Sequence, residues 1–191
     1  MRNESDKDFG PYGLSERLEL MSLAKRSVEA ATRGEQFDPI PPKSALLRAT
    51  GAAFVTLKKR GKLRGCIGHV IGRVPLYECI SDVSEAAAIH DHRFSRVTAE
   101  ELSELTFEIS VLTAPESIAA VDVVVGRDGL IMSRGGHSGL LLPQVPIEWN
   151  WTKEEFLSHT CRKANLPTDC WKDDSTEIKA FRAIVFNESD C

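Results

Sequence analysis

The stretch GAAFVTLKKRGKLRGCIGHV, residues 51–70, constrains the fold more than any other segment. Two runs rich in β-favouring residues flank Arg60-Gly61, which predicts two antiparallel strands joined by a tight turn. A second stretch, VDVVVGRDGLIMSRGGHSGLLLP, carries the turn signals Asp128-Gly129 and Gly135-Gly136 and predicts further successive antiparallel strands. LTFEISVLT reads as a strand with Leu105, Phe107, Ile109 and Val111 on one face, and EIKAFRAIVF as a closing strand. Strands that pair with their chain neighbours replace the regular βαβ alternation of a parallel sheet. The fold class is α+β.

Helical patterns fill the intervals. From Ser15, the residues Leu18, Met21, Ala24, Val28 and Ala31 recur at helix spacing, and Gly34 supplies a stop. FDPIPPKSALL is a proline-stiffened connection. Pro75 opens a helix whose apolar stripe is Leu76, Cys79, Ile80, Val83 and Ala87, and HDHRF (90–94) closes it. Thr98 with Glu101, and Thr152 with Glu155, are capping boxes. The second starts a helix with Phe156, Leu157, Cys161 and Ala164 on its apolar face, ended by Asn165 and Pro167. Residues 1–14 read as a flexible tail.

Of the 191 residues, 42% are hydrophobic, enough for one domain or two subdomains with an apolar interior. The net charge of −4 counts against a general nucleic-acid binder. Five cysteines without a CxxC pair, and no apolar leader, suggest free thiols in a reduced, cytoplasmic protein. No apolar run approaches the ~20 residues needed to cross a bilayer, so no membrane role is expected.

LRGCIG (63–68) concentrates the candidate chemistry. On a regular strand Arg64 and Cys66 share a face, roughly 6.5–7 Å apart, close enough for a guanidinium to favour a thiolate. Gly65 and Gly68 remove side-chain bulk, so a ligand or another backbone can approach. Arg64 would anchor an anionic group and Cys66 would act as nucleophile or redox centre, given a base within ~2.6–3.2 Å. The available histidines are His69, His90, His92, His137 and His159. His90 follows Val83 by seven residues and continues the apolar stripe, while Asp91 orients a base or pairs with Arg93. The alternative is that Cys66 is a small buried hydrophobe and the glycines permit a bulge or strand crossing. No ligand pair has a diagnostic zinc spacing, so neither metal nor cofactor is expected. KKRGKLR fits a solvated hairpin tip better than a phosphate-binding patch. Trp149 and Trp151 in LLPQVPIEWNW serve either core packing or a cleft or partner surface.

LRGCIG, HDHRF, FEISVLT, GRDGLIM, LLPQVPIEWNW and FLSHTCRKANL occur in an order and spacing that resembles the AMMECR domain family, in its AmmeMemoRadiSam system protein A branch. The likeness spans about residues 15–187. It implies one AMMECR domain of two unequal α+β subdomains, mainly antiparallel sheets flanked by helices. The larger subdomain comes from both chain ends and the smaller from the middle, with a cleft between them and LRGCIG near it. It also implies, as partners, a Memo-like protein and a radical SAM enzyme, without implying an activity; a small-molecule ligand is what the glycines, cysteine and cation of LRGCIG themselves suggest. The site expected on these grounds is Cys66, His90 and Asp91 for chemistry, with Arg64, Gly65, Gly68 and Arg93 for binding. Two readings follow: an enzyme or enzyme-accessory protein, and a non-catalytic interaction module, with nucleic-acid binding a weaker third.

Overall fold

The hairpin forms at Arg60-Gly61, where both residues adopt positive φ (50° and 75°), the backbone that a two-residue turn of this hand requires. The computed structural model describes residues 9–191 and divides into two compact units. One runs to Leu112 and resumes at Ile184–Cys191; the other is Thr113–Ala183. Residues 1–8 of the expected tail lie outside the described residues. From Phe9 onward that expectation gives way, because two aromatics find apolar cover. Phe9 and Tyr12 pack into the core, and the Arg17 guanidinium lies 4.0 Å from the centre of the Phe9 ring.

In the first unit, helix α1 (Leu14–Arg33) ends at Gly34, whose φ of 69° lets its N–H cap the carbonyls of the last turn. A short helix α2 (Ala45–Arg48) leads into β1 (Thr50–Lys59), which pairs with β2 (Lys62–Gly68) and β3 (Val74–Pro75). Pro75 caps α3 (Leu76–Ile89), and the Thr98–Glu101 capping box starts a 3-10 helix, Ala99–Glu104, ahead of β4 (Leu105–Leu112). The sheet runs β2-β1-β4-β9, with β9 spanning Ala183–Asn187 and β3 beside β1. Its inner face sends Ala53, Val55, Leu57, Phe107, Ile109, Val111 and Phe186 into a core shared with α1 and α3; α3 packs on β1 and β2, and α1 packs on α3 and meets β4. Each fully buried aliphatic there contributes about 1.5–3 kcal/mol.

The second unit orders its strands β5-β8-β6-β7: β5 (Glu116–Ser117), β6 (Gly129–Arg134), β7 (His137–Leu141) and β8 (Glu177–Phe181). Gly135 and Gly136, both at positive φ, close the β6–β7 hairpin. After the short α4 (Val145–Glu148), helix α5 (Lys153–Lys163) starts at the Thr152–Glu155 capping box. It buries Phe156, Leu157 and Cys161 against Leu130, Met132 and Ile178. Trp151 packs partly on this core with its ring 3.9 Å from that of His159, while Trp149 stays exposed.

Three expectations are corrected. Residues 121–125 form no strand, because the Asp128 carboxylate takes the Val124 N–H that a ladder would use and a turn closes instead. The closing strand splits at Arg182 into β8 and β9, which lie in different sheets. There Thr113 Oγ1 accepts the Arg182 N–H and the Thr113 N–H donates to the Arg182 carbonyl, so the ladder changes partner. Finally, the thiols are not all free. Cys161 on α5 and Cys170, their Cα atoms 6.1 Å apart, form a disulfide, leaving Cys66, Cys79 and Cys191 as thiols. Their separation of nine residues matches no familiar pairing motif.

Candidate functional site

The geometry at LRGCIG turns on a bulge. The hairpin begins Lys59↔Lys62 and Lys58↔Leu63, then shifts by one to Leu57↔Gly65 and Thr56↔Cys66, so Arg64 has no opposite number. Without that extra residue Cys66 would face Val55, which is wholly buried; with it, Cys66 faces the part-exposed Thr56. Gly65 and Ile67 turn inward, while Cys66 stands on the outer side of the sheet. Its sulfur is part-buried and lies 3.2 Å from Thr56 Oγ1. Glu108 on β4, opposite Thr56, completes an outward row and pairs with Lys58 at 3.0 Å.

Arg64, expected as an anion anchor, does not join that row and is bound within the protein. Its Nε and Nη2 bind the two oxygens of Glu101 at 3.0 and 2.9 Å, Nη1 donates to the Ser95 carbonyl, and Nη2 also to the Arg96 carbonyl. The side chain is only 12% exposed. Arg64 holds the Glu101 carboxyl down at about 2, outweighing the opposing effect of burial, with help from Lys59 and the Thr98 N–H. A charge so occupied ties the bulge to the 95–101 segment.

The glycines also serve packing. A Cβ on Gly65 would sit 2.1 Å from the Ala87 carbonyl oxygen of α3, and one on Gly68 would meet the Phe54 ring. At both positions backbone or a neighbouring side chain fills the space a Cβ would take.

HDHRF docks on the same strand. β2 is the sheet's edge, and its Cys66 N–H donates to Asp91 Oδ2 at 2.9 Å, while Arg93 Nη2 donates to the Cys66 carbonyl at 3.1 Å. Asp91 and Arg93 thus stand in for the missing strand and satisfy the edge. Arg93 also grips Asp91 through Nε at 2.9 Å and Nη2 at 2.7 Å. Its hydrogen bonds, with those from the backbone N–H groups of Cys66 and Arg93, hold the buried Asp91 carboxyl well below the usual range. Such a carboxylate has little affinity for a proton near neutral pH.

His90 caps α3 and is exposed, so it does not extend the apolar stripe: the helix ends at Ile89 and the ring lies beyond its covered face. His92 is exposed as well. Among the described residues the recorded partner of the sulfur is a hydroxyl rather than an imidazole, and no cluster of three metal-ligating side chains occurs. The expected grouping of Cys66, His90 and Asp91 reduces to contact through the Cys66 backbone. The cation at the Cys66 backbone is Arg93, whose own pKa is raised first by its hydrogen bonds to Asp91.

The hairpin's cations are largely committed. Lys58, Lys59 and Arg60 pair with Glu108, Glu101 and Glu104. That leaves little uncompensated charge for phosphate. Thr56 and Glu108 were not singled out from the sequence, and Glu101 was singled out only as a capping-box residue. Of the first two, only Thr56 had a signal, the hairpin register, and the bulge displaces that by one residue.

The AMMECR1 family model matches residues 21–186. A protein of Saccharolobus islandicus is 42% identical over 182 residues, covering 89% of this chain and 80% of its own length. A protein of Thermococcus kodakarensis is 44% identical over 181 residues, 88% of each chain. The crystal structure of an uncharacterized protein from Pyrococcus horikoshii superposes with a TM-score of 0.72 at 42% identity, covering 88% of this chain and 89% of that one. No helix among the described residues is long and apolar enough to cross a membrane.

Proposed function

This chain belongs to the AMMECR1 family, and on that premise we propose that it is a non-catalytic recognition module. Its docking face is the outward row at Cys66 and Thr56 together with the exposed side of the 90–96 corner. The observation that supports this reading is that the charged groups a reaction would call upon are already spent on structure. Both Asp91 oxygens accept hydrogen bonds from Arg93 or the Cys66 N–H, and the Arg64 guanidinium is bound by Glu101 and two carbonyls. What is left facing solvent is a preorganised surface bearing His90, His92, Arg93 and Arg96. Cationic side chains there suit an acidic patch on a protein, and the candidate partners are the Memo-like protein and the radical SAM enzyme implied by family resemblance.

Calorimetric titration with each purified partner tests this. Arg96→Glu should weaken association and flatten its salt dependence, because less attraction is left to screen, while the near-isosteric Cys66→Ser changes affinity little. Equal loss on both substitutions would overturn the reading.

A second reading, thiol chemistry on a small substrate, draws support from a part-exposed Cys66 whose backbone carbonyl accepts a hydrogen bond from the Arg93 guanidinium. It requires that Cys66 alkylate faster than an ordinary thiol at neutral pH and that Arg93→Gln slow it. Sluggish labelling of the folded protein removes it.

A further inference from the structure

The second unit holds a cavity of about 370 Å³ that none of the motifs discussed so far explains, lined in part by Thr113, Glu116, Ile118, Asp128, Ala180 and Arg182. That size falls within the roughly 300–1,000 Å³ of small-molecule sites. Its shape follows from register. β8 pairs with β5 through Glu116↔Ala180 and with β6 through Gly129↔Phe181. Paired residues share a face, which puts Glu116 and Ala180 on one side of the sheet; Arg182 and Asp128, just beyond the ends of β8 and β6, line the same cavity. Ala180 is a low floor. Glu116 rises directly across from it and Arg182 two places along, a diagonal separation of about 7–8 Å.

Arg182 is held but not used up. Thr113 fixes its backbone through both N–H and carbonyl, each at 2.9 Å, and its Nε lies 3.5 Å from the buried Oδ1 of Asp128. Asp128 also binds Arg127, through Nε and Nη2 at 2.7 Å, and the Val124 N–H. One carboxylate against two guanidiniums leaves a positive charge over. Among the described residues the Nη fork of Arg182 donates no hydrogen bond, and the exposed Glu116 forms no ion pair.

We propose that this cavity binds a free α-amino acid. The Arg182 fork takes the carboxylate in the two-pronged geometry that guanidinium favours, and Glu116 takes the ammonium. The ligand's Cα sits over Ala180, and its side chain runs toward Ile118. Selectivity comes from the opposed walls: a simple anion meets repulsion from Glu116, and a simple amine meets it from Arg182. This site lies in the other unit from the Cys66 corner and stands or falls separately from the recognition proposal.

The test is titration of the full chain, followed by calorimetry and by backbone amide NMR shifts. The probes are each of the twenty L-amino acids, with acetate, methylammonium and inorganic phosphate as half-ligands. At least one amino acid should bind saturably and shift the amides of Ala180 and Arg182, while the half-ligands do not. Arg182→Gln and Glu116→Gln should each weaken binding by about tenfold or more. Glu116 is exposed, so Glu116→Gln reports on binding even if Arg182→Gln disturbs the fold. The proposal is overturned if no amino acid binds at millimolar concentration, if Glu116→Gln leaves affinity unchanged, or if phosphate or acetate binds as tightly as the best amino acid.

Discussion

Gly65→Ala is the sharpest probe of how LRGCIG is built. The added Cβ would lie 2.1 Å from the Ala87 carbonyl oxygen and 3.1 Å from its carbon. Both atoms are α3 backbone, so no side chain can rotate out of the way. Relief requires strand and helix to part by roughly 1 Å, in a core packed to crystal-like density. Overpacking of this kind costs about 1–3 kcal/mol, and a rigid backbone neighbour places it at the upper end. Loss of glycine's freedom in the unfolded chain returns about 0.4–1 kcal/mol. The net is a loss of about 2 kcal/mol, or about 5–10 °C in the melting temperature of a unit this size. Thermal unfolding by circular dichroism, with guanidinium titration alongside, reads it. Unchanged or raised stability would refute the claim that β2 presses on α3 at this glycine.

Other expectations follow from the same contacts. Asp91→Asn withdraws the charge that clamps Arg93 and sets an amide N–H₂ against donors, for a loss of about 2 kcal/mol, moderated because Arg93 is half-exposed; an unaltered denaturation midpoint would contradict the clamp. Asp91 and Glu101 both have folded pKa values below their unfolded ones, so their contribution is complete above the unfolded values and is lost as pH falls. Stability should therefore hold above about pH 5 and decline toward pH 2, with Glu101→Gln flattening part of that slope. In denaturant, thiol titration should count three thiols before reduction and five after, and opening the short Cys161–Cys170 loop should cost about 2–3 kcal/mol. Five thiols without reductant would remove the disulfide.

How much was legible depended on how local the signal is. The Thr152–Glu155 capping box, the apolar stripe from Leu76 to Ala87 and the Arg60-Gly61 turn involve neighbours in sequence, and each forms where expected. A bulge was one reading the glycines allowed, but its place at Arg64 was not legible, because it follows from what β1 and the 95–101 segment require together, and a one-residue slip reverses which face Cys66 takes. The split of EIKAFRAIVF was hidden for a similar reason. Its apolar pattern continues through Arg182, and only the distant Thr113 and Asp128 break the ladder there. At the candidate site the sequence named Cys66, Asp91 and Arg93, which the fold brings into contact, and expected Arg64 beside Cys66, where it turns to Glu101 instead.

The most direct test of the account is the titration of the Asp91 carboxyl in the folded protein, followed by carbon-13 NMR. A structural clamp predicts a carboxylate that stays ionised down to the acid unfolding transition, far below its unfolded value of about 3.9. Protonation at or above that value would mean a carboxyl free to exchange protons beside Cys66, and the non-catalytic reading of this corner would be contradicted.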